Sequence, residues 1–294
     1  MSEENPFSNR TMLMNLDEFF GRKEQLETIF KRLVNLQSCD VFGERKIGKS
    51  SLLYHIFLKL NTELGDDYKA VYIDMQHPKY HTVEGFLKYS LKELGYNSEV
   101  ISSSNSLNEN LVAFTESIES LRKEKRPVLL IDECENMMKR PEFINEFFET
   151  MRSLGNNRNL AYVTASLHSI KGLCRQGNFT SPFYNIFSDV PLDMFSTEET
   201  HEFLSAERNG FKFNEYEITF IEEIANNHPL QMQIACYHVF ENREKMWNKK
   251  KLTKVIKKEF KHYKDWWLRK YRMIYNSKKG IIDFLTDIIK KKMD

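Results

Sequence analysis

Residues 43–50 read Gly43-Glu44-Arg45-Lys46-Ile47-Gly48-Lys49-Ser50. Their spacing fits G-x-x-x-x-G-K-[ST], a loop whose backbone N–H groups cradle the phosphates of a nucleotide. Gly43 and Gly48 are expected where a Cβ would hold the main chain away from phosphate oxygens. Lys49 is a point charge for the β- and γ-phosphates, and the Ser50 hydroxyl can enter the shell of a Mg2+ ion. From Ser51 the apolar residues Leu52, Leu53, Ile56 and Leu60 recur at helical spacing, so the loop opens a helix whose N-terminal dipole favours an anion. The expected phosphate cradle is therefore Gly43, Glu44, Arg45, Lys46, Ile47, Gly48, Lys49, Ser50 and Ser51. Upstream, Cys39-Asp40-Val41-Phe42 reads as a short strand.

A second stretch answers the first. Pro127-Val128-Leu129-Leu130-Ile131-Asp132-Glu133 is an unbroken apolar run ending in two carboxylates. Such a run suits a central parallel strand covered on both faces, and ligands bind beyond the carboxyl ends of such strands. Asp132 is expected to hold Mg2+, directly or through water. Glu133 is expected to orient and deprotonate the attacking water.

Composition sets the outer limits. A chain of 294 residues with 41% apolar content can bury one large core and a smaller one. A net charge of +1 argues against a uniformly basic nucleic-acid binder. The four cysteines, Cys39, Cys134, Cys174 and Cys236, form no C-x-x-C pair and read as reduced thiols. The N-terminal residues show no signal pattern, and no apolar run approaches a membrane span. The expectation is a cytoplasmic protein with no membrane partner.

Residues 1–18 read as a polar lead-in. After them comes Phe19-Phe20-Gly21-Arg22-Lys23-Glu24, then apolar positions at helical spacing from Leu26 to Leu33. An (F)FGR-x-x-E segment about 20 residues before a phosphate loop resembles the adenine side of AAA+ and STAND-type ATPases. The resemblance implies that Phe20 and Arg22 lie near the base. Further along, residues 67–74 read as a strand and 81–94 and 107–123 as helices. Residues 141–154 read as a helix and 160–166 as a strand. In the resembled families a polar residue at the tip of that strand senses the γ-phosphate. Ser166 matches best, with Thr164 and His168 as neighbours. The segment 172–182 reads as a loop, and its Arg175 occupies the place where AAA+ proteins often carry an arginine that reaches a neighbouring subunit. Asp189-Val190-Pro191-Leu192 is a last short strand.

Beyond residue 194 the pattern changes to short helices. Ser196 with Glu199, and Asn214 with Glu217, have capping-box spacing. A third helix begins at Asn227-His228-Pro229-Leu230. Successive helices after an α/β core match the lid of the resembled families, where a Gly-x-Pro or similar turn meets the nucleotide. The resemblance gives that role to Pro229, with Asn227 standing at the Gly position.

The end of the chain is chemically distinct. Residues 245–294 hold 17 lysines and arginines against 5 aspartates and glutamates, an asymmetry that suggests an anionic partner such as nucleic acid. The aromatic residues Phe260, Tyr263, Trp266, Trp267, Tyr271 and Tyr275 are interleaved with them. The set Ile256, Phe260, Tyr263, Trp267 and Ile274 lies near heptad spacing, which favours packing over base stacking. Gly280 breaks the pattern before a short amphipathic end, Ile281–Ile289.

The expected architecture is an α/β P-loop NTPase of the AAA+/STAND kind, its parallel sheet flanked by helices on both faces, in residues 1–194. A helical lid follows in 195–248 and a basic helical extension in 249–294. The expected function is a Mg-ATP-dependent switch, cycling between ATP and ADP, that assembles with or signals to a protein partner or further copies of itself. Catalysis would rest on Glu133, Lys49 and Ser166, and the metal on Ser50 and Asp132. The alternatives are a DNA-associated AAA+ ATPase, of transposition-regulator or helicase-loader type, and a scaffold that binds ATP without hydrolysing it.

Overall fold

The computed structural model describes residues 5–176, 182–243 and 248–274, the side chains of Gln176 and of residues 264–274 excepted. Contacts divide the chain into two compact units. One holds Arg10–Ala206 with Asn227–Pro229. The other holds the residues before Arg10, then Glu207–Asn226, and Leu230 onward.

The first unit is built on a parallel sheet. Its elements in chain order are α1 (Lys23–Leu33), β1 (Ser38–Gly43), α2 (Lys49–Leu64), β2 (Tyr68–Asp74), α3 (Val83–Glu93), α4 (Leu107–Arg122), β3 (Arg126–Asp132) and α5 (Glu135–Met138). Then follow α6 (Asn145–Asn156), β4 (Ala161–Ser166), α7 (Ile170–Gln176), β5 (Phe187–Leu192) and α8 (Thr197–Ser205). The five strands run in the order β2-β3-β4-β1-β5, and every pairing is parallel.

The apolar run in β3 behaves as a doubly covered strand requires. Val128 and Leu130 point into a core shared with Ile29 and Leu33 of α1 and Leu52, Leu53, Ile56 and Leu60 of α2. Leu129 and Ile131 point the other way, into a core with residues of α3, α4 and α6. The period of two places alternate residues on opposite faces. The second core is rich in aromatics: Phe86 and Phe147 meet edge-to-face at 5.5 Å, and Phe143 and Phe147 at 5.0 Å. Each buried phenylalanine of this kind is worth roughly 3–5 kcal/mol against alanine.

Two element boundaries differ from the sequence reading. The helix expected from residue 141 starts at Asn145, after a bend at 141–144. The stretch read as a loop from 172 begins inside a helix, because α7 covers Ile170–Gln176. Ile170, Leu173 and Cys174 are buried at helical spacing, and Ser169 Oγ accepts the Gly172 N–H at 3.2 Å, supplying the missing N-terminal partner. Gly172 lowers helix propensity by only about 1 kcal/mol, which that burial overrides. Residues 177–181 lie outside the described residues.

The second unit contains α9 (Glu215–Ala225), α10 (Pro229–Asn242, from Leu230) and α11 (Lys249–Ile274). The capping boxes expected for α8 and α9 are both formed. The lead-in is not uniformly polar: Phe7 is buried here, stacked on Phe213 at 5.1 Å and edge-on to Phe240. On α11, Leu252 and Ile256 are buried while Lys250, Lys251, Lys254, Lys257, Lys258 and Lys261 are exposed. His238 of α10 meets Glu259 of α11 at 2.7 Å, and Lys249 pairs with Glu223 of α9 at 2.8 Å. The packing stripe thus holds at Ile256, with Phe260 and Tyr263 half-buried. The side chains of Trp266, Trp267, Tyr271 and Ile274, and all of Tyr275, Gly280 and Ile281–Ile289, lie outside the described residues. Among the described residues no helix is long and apolar enough to cross a membrane.

Candidate functional site

From β1 the chain crosses to β2 at one edge of the sheet, and β5 later joins on the far side of β1. A parallel sheet opens its ligand crevice where the strand order reverses in this way, beyond the carboxyl ends. The loop 44–48 sits at that end of β1 and leads into α2. Gly48 adopts φ +104° with open space where a Cβ would stand, a conformation that glycine alone takes cheaply. Gly43 is needed for a different reason from the expected one: a Cβ there would collide with the carbonyl oxygen of Leu192 on β5.

Lys49 folds back on the loop, its Nζ donating to the carbonyls of Gly43 at 2.9 Å and Glu44 at 2.8 Å. Burial lowers its pKa, opposed by the carboxylates of Glu135, Glu133 and Asp132. Beside it the Ser50 hydroxyl faces the Asp132 carboxylate and favours its charged form against the burial that raises its pKa. Asp132 is buried and also accepts the Tyr72 hydroxyl on Oδ2 at 2.8 Å and the Glu133 N–H on Oδ1 at 3.0 Å. Glu133 holds φ +52°, outside the strand geometry of its predecessors. Burial raises its pKa, as does Glu135, while Arg45 and Lys49 pull it down. Glu135, at the start of α5, is buried, and its Oε2 has no hydrogen-bond partner among the described residues. The loop, the lysine, the hydroxyl and both carboxylates expected to act together are brought together.

The lead-in reaches the same place. Lys46 Nζ donates to the Arg10 carbonyl at 3.1 Å, and the Leu13 N–H donates to Ser51 Oγ at 3.0 Å. Met12 Sδ lies 3.3 Å from the Tyr72 hydroxyl. Arg22 is buried: its Nη2 donates to the Ile47 carbonyl at 3.0 Å, and its guanidinium lies 4.6 Å from the centre of the Phe195 ring. Its N–H donates to Glu199 Oε1. Arg22 therefore braces the phosphate loop at Ile47, and Phe20 packs edge-on against Phe203 at 5.7 Å. Asn227, His228 and Pro229 belong to this unit, and the Asn227 carbonyl accepts the Phe195 N–H at 3.0 Å. Asn226 and Asn227 take φ +47° and +56°, the left-handed geometry that asparagine tolerates and glycine would otherwise supply. His228 is buried, and burial lowers its pKa against the opposing charge of Glu44 in the loop.

Ser166 ends β4 in register with Phe42, next to the loop. Its hydroxyl is turned into the chain's own next turn and donates to the His168 carbonyl. Thr164 is committed to Asp40, donating to its Oδ1 at 2.9 Å. Asp40 Oδ2 accepts the Ile170 N–H at 2.7 Å, tying α7 to β1. Arg175 is exposed on α7, not in a loop.

Asp40 carries a pH dependence. Burial pushes its pKa from 3.8 up to about 7. The folded state then holds a proton that the unfolded chain has released, so this contribution is complete below pH 4 and lost as pH rises to 7. The full span corresponds to about 4 kcal/mol. In Asp40→Asn the amide can accept from Ile170 and donate to Thr164 Oγ1, so the contacts survive while the titration does not. The stability of the variant relative to wild type should rise steadily between pH 4.5 and 7.5 in parallel denaturant titrations. A constant difference over that range would count against the buried proton.

The model of the family described as novel STAND NTPase 2 matches residues 33–250, more than half of the chain. The chain belongs to the novel STAND NTPase 2 family. Among solved structures, the Walker-type ATPase of Pyrococcus abyssi superposes with a TM-score of 0.65 at 18% identity, covering 92% of this chain and 80% of that one. The ORC2 protein of Aeropyrum pernix, in ADPNP and ADP complexes, gives 0.63 at 13% identity over 86% and 70%. The ORC1 protein of the same organism, in complex with DNA, gives 0.57 at 13% over 82% and 66%. At these identities the likeness is one of fold. A search of curated proteins finds no match.

Several side chains at the site of this STAND NTPase carry no sequence signal of their own. Tyr72 and Met12 are ordinary strand and lead-in residues until the sheet is assembled. Glu135 stands two residues past Glu133, and only its burial separates it from a solvated acid. Asp40 went unread in the sequence; the signal that could have found it is a carboxylate inside an otherwise apolar strand, an uncommon place for a charge.

Proposed function

We propose that the protein binds Mg-ATP on Gly43–Ser51 and uses the nucleotide state as a switch toward a partner protein or further copies of itself. The observation that carries this reading is the meeting of Ser50 and Asp132 at the N-terminus of α2, beside Lys49. Mg2+ takes hard oxygen ligands, commonly one or two from protein with the rest from water and phosphate. A hydroxyl on a carboxylate fits that demand. Among the described residues no cluster of three or more His, Cys, Asp or Glu offers an alternative cage.

In this reading Ser50 and Asp132 hold the metal, which neutralises charge on the β- and γ-phosphates. Lys49 exchanges its two loop carbonyls for phosphate oxygens. Glu133, its basicity increased by burial, takes the proton of the attacking water. Ser166 senses the γ-phosphate once its hydroxyl leaves the His168 carbonyl. Phe20, Arg22 and Pro229 shape the adenine side, Arg22 by fixing Ile47. Residues 1–194 form the ATPase domain, 195–248 the segment that reports nucleotide state, and 249–294 the basic extension. Single-turnover hydrolysis and solution mass with ADP, a non-hydrolysable ATP analogue and ATP test the switch. An ATP complex that stays intact through long incubation favours the non-hydrolysing scaffold, and unchanged mass in all states counts against assembly with itself.

A DNA-associated role is the second reading, supported by the exposed lysines of α11. Each phosphate neutralised should steepen the fall of log K with log salt by about 0.9. Replacing Lys250, Lys251, Lys254, Lys257 and Lys258 with alanine should then weaken duplex binding and flatten that slope, with ATP binding retained. Equal binding by both proteins at two salt concentrations would discard this reading.

A further inference from the structure

The Tyr72 hydroxyl lies between two acceptors, Asp132 Oδ2 at 2.8 Å and Met12 Sδ at 3.3 Å. It has one proton, and a carboxylate is the far better acceptor. Its position is set by packing. The ring stands edge-on to Tyr54 of α2 at 5.4 Å and tilted against Phe57 at 6.2 Å. In the β2–β3 register Tyr72 lies opposite Leu130 and Asp74 opposite Asp132. Tyr72 therefore reaches forward, on the same face, to the carboxylate two residues ahead on the neighbouring strand.

We propose that Tyr72 is a positioning residue for Asp132, fixing the carboxylate that faces Ser50 and linking it to the lead-in at Met12. The inference rests on the reading of Ser50 and Asp132 as the Mg2+ side of the site. A carboxylate that accepts from the Tyr72 hydroxyl and the Glu133 main chain, with the Ser50 hydroxyl beside it, keeps one rotamer. Asp132 would then be preset to hold a metal with Ser50. Outer hydrogen-bond partners of metal ligands commonly contribute 10–100-fold to metal affinity. The Met12 thioether, 3.3 Å from the same hydroxyl, ties this arrangement to the lead-in.

The test is Tyr72→Phe in the full chain, which retains the ring packing and removes the hydroxyl. Binding of a fluorescent ATP analogue is titrated with MgCl2 and, separately, measured in EDTA, alongside the melting temperature in EDTA. The expected result is about a tenfold rise in the Mg2+ concentration giving half-maximal enhancement of binding, with the EDTA affinity and the melting temperature close to wild type. An unchanged Mg2+ midpoint overturns the inference. So does an equal loss of affinity with and without Mg2+, which would place Tyr72 in the fold or against the nucleotide. Wild-type protein that binds ATP without regard to Mg2+ would overturn the metal-side reading and this inference together. A Mg2+-dependent wild type with an indifferent variant removes Tyr72 alone.

Discussion

Glu133→Gln is expected to bind Mg-ATP as wild type does and to lose turnover by roughly 10²–10⁴-fold, the range of a single general base. Glutamine keeps the size and shape but cannot accept a proton from water. Asp132 is untouched, so the hydroxyl pairing with Ser50 and the Tyr72 contact stay. In the proposed reading Glu133 suits the task because burial and Glu135 raise its pKa, making it a stronger base, while Arg45 and Lys49 act in the opposite sense. Single-turnover hydrolysis with protein in excess of ATP isolates the chemical step. Wild-type rates in the variant would move the base to another group, with buried Glu135 the first to examine. Asp132→Asn should behave in the opposite sense, losing Mg2+-dependent binding itself.

Lys49→Ala should abolish the thermal stabilisation that ATP confers. A ligand at 100 times its Kd stabilises the folded state by about 2.7 kcal/mol, and a variant that no longer binds loses all of it. Without nucleotide the cost is confined to the loop. Among the described residues the ammonium donates to the Gly43 and Glu44 carbonyls, charge-assisted contacts worth roughly 1.5–3 kcal/mol each before the loop relaxes and water replaces them. Differential scanning fluorimetry of both proteins, with and without Mg-ATP, separates the two effects. A variant that ATP stabilises as strongly as wild type would remove Gly43–Ser51 from the nucleotide site.

The two stretches that organise the molecule are local in character, which is why they could be read directly. A phosphate loop is set by glycine conformation, a lysine and a hydroxyl within eight residues, and β3 by seven consecutive residues whose burial is implied by their own apolarity. Gly48 shows the local rule at work in its φ of +104°. Gly43 shows its limit, since the neighbour that forbids a side chain there is Leu192, far along the chain on β5.

Arg22 marks the same division. Its place in the FGR segment could be read, and its partners could not. Ile47, Phe195 and Glu199 come from three elements that only the folded sheet and α8 bring together. Helix α7 was hidden by Gly172 because a single residue's propensity, about 1 kcal/mol, is smaller than the burial of Ile170, Leu173 and Cys174 that outweighs it. Sequence alone thus determined which residue types stand at the ends of β1 and β3, since each lies in one short window. Tertiary structure alone decided the strand order β2-β3-β4-β1-β5, the covering of the loop by Arg10–Leu13, and the pairing of Tyr72 with Asp132. Those depend on which surfaces exclude water together, and no window of neighbouring residues contains that information.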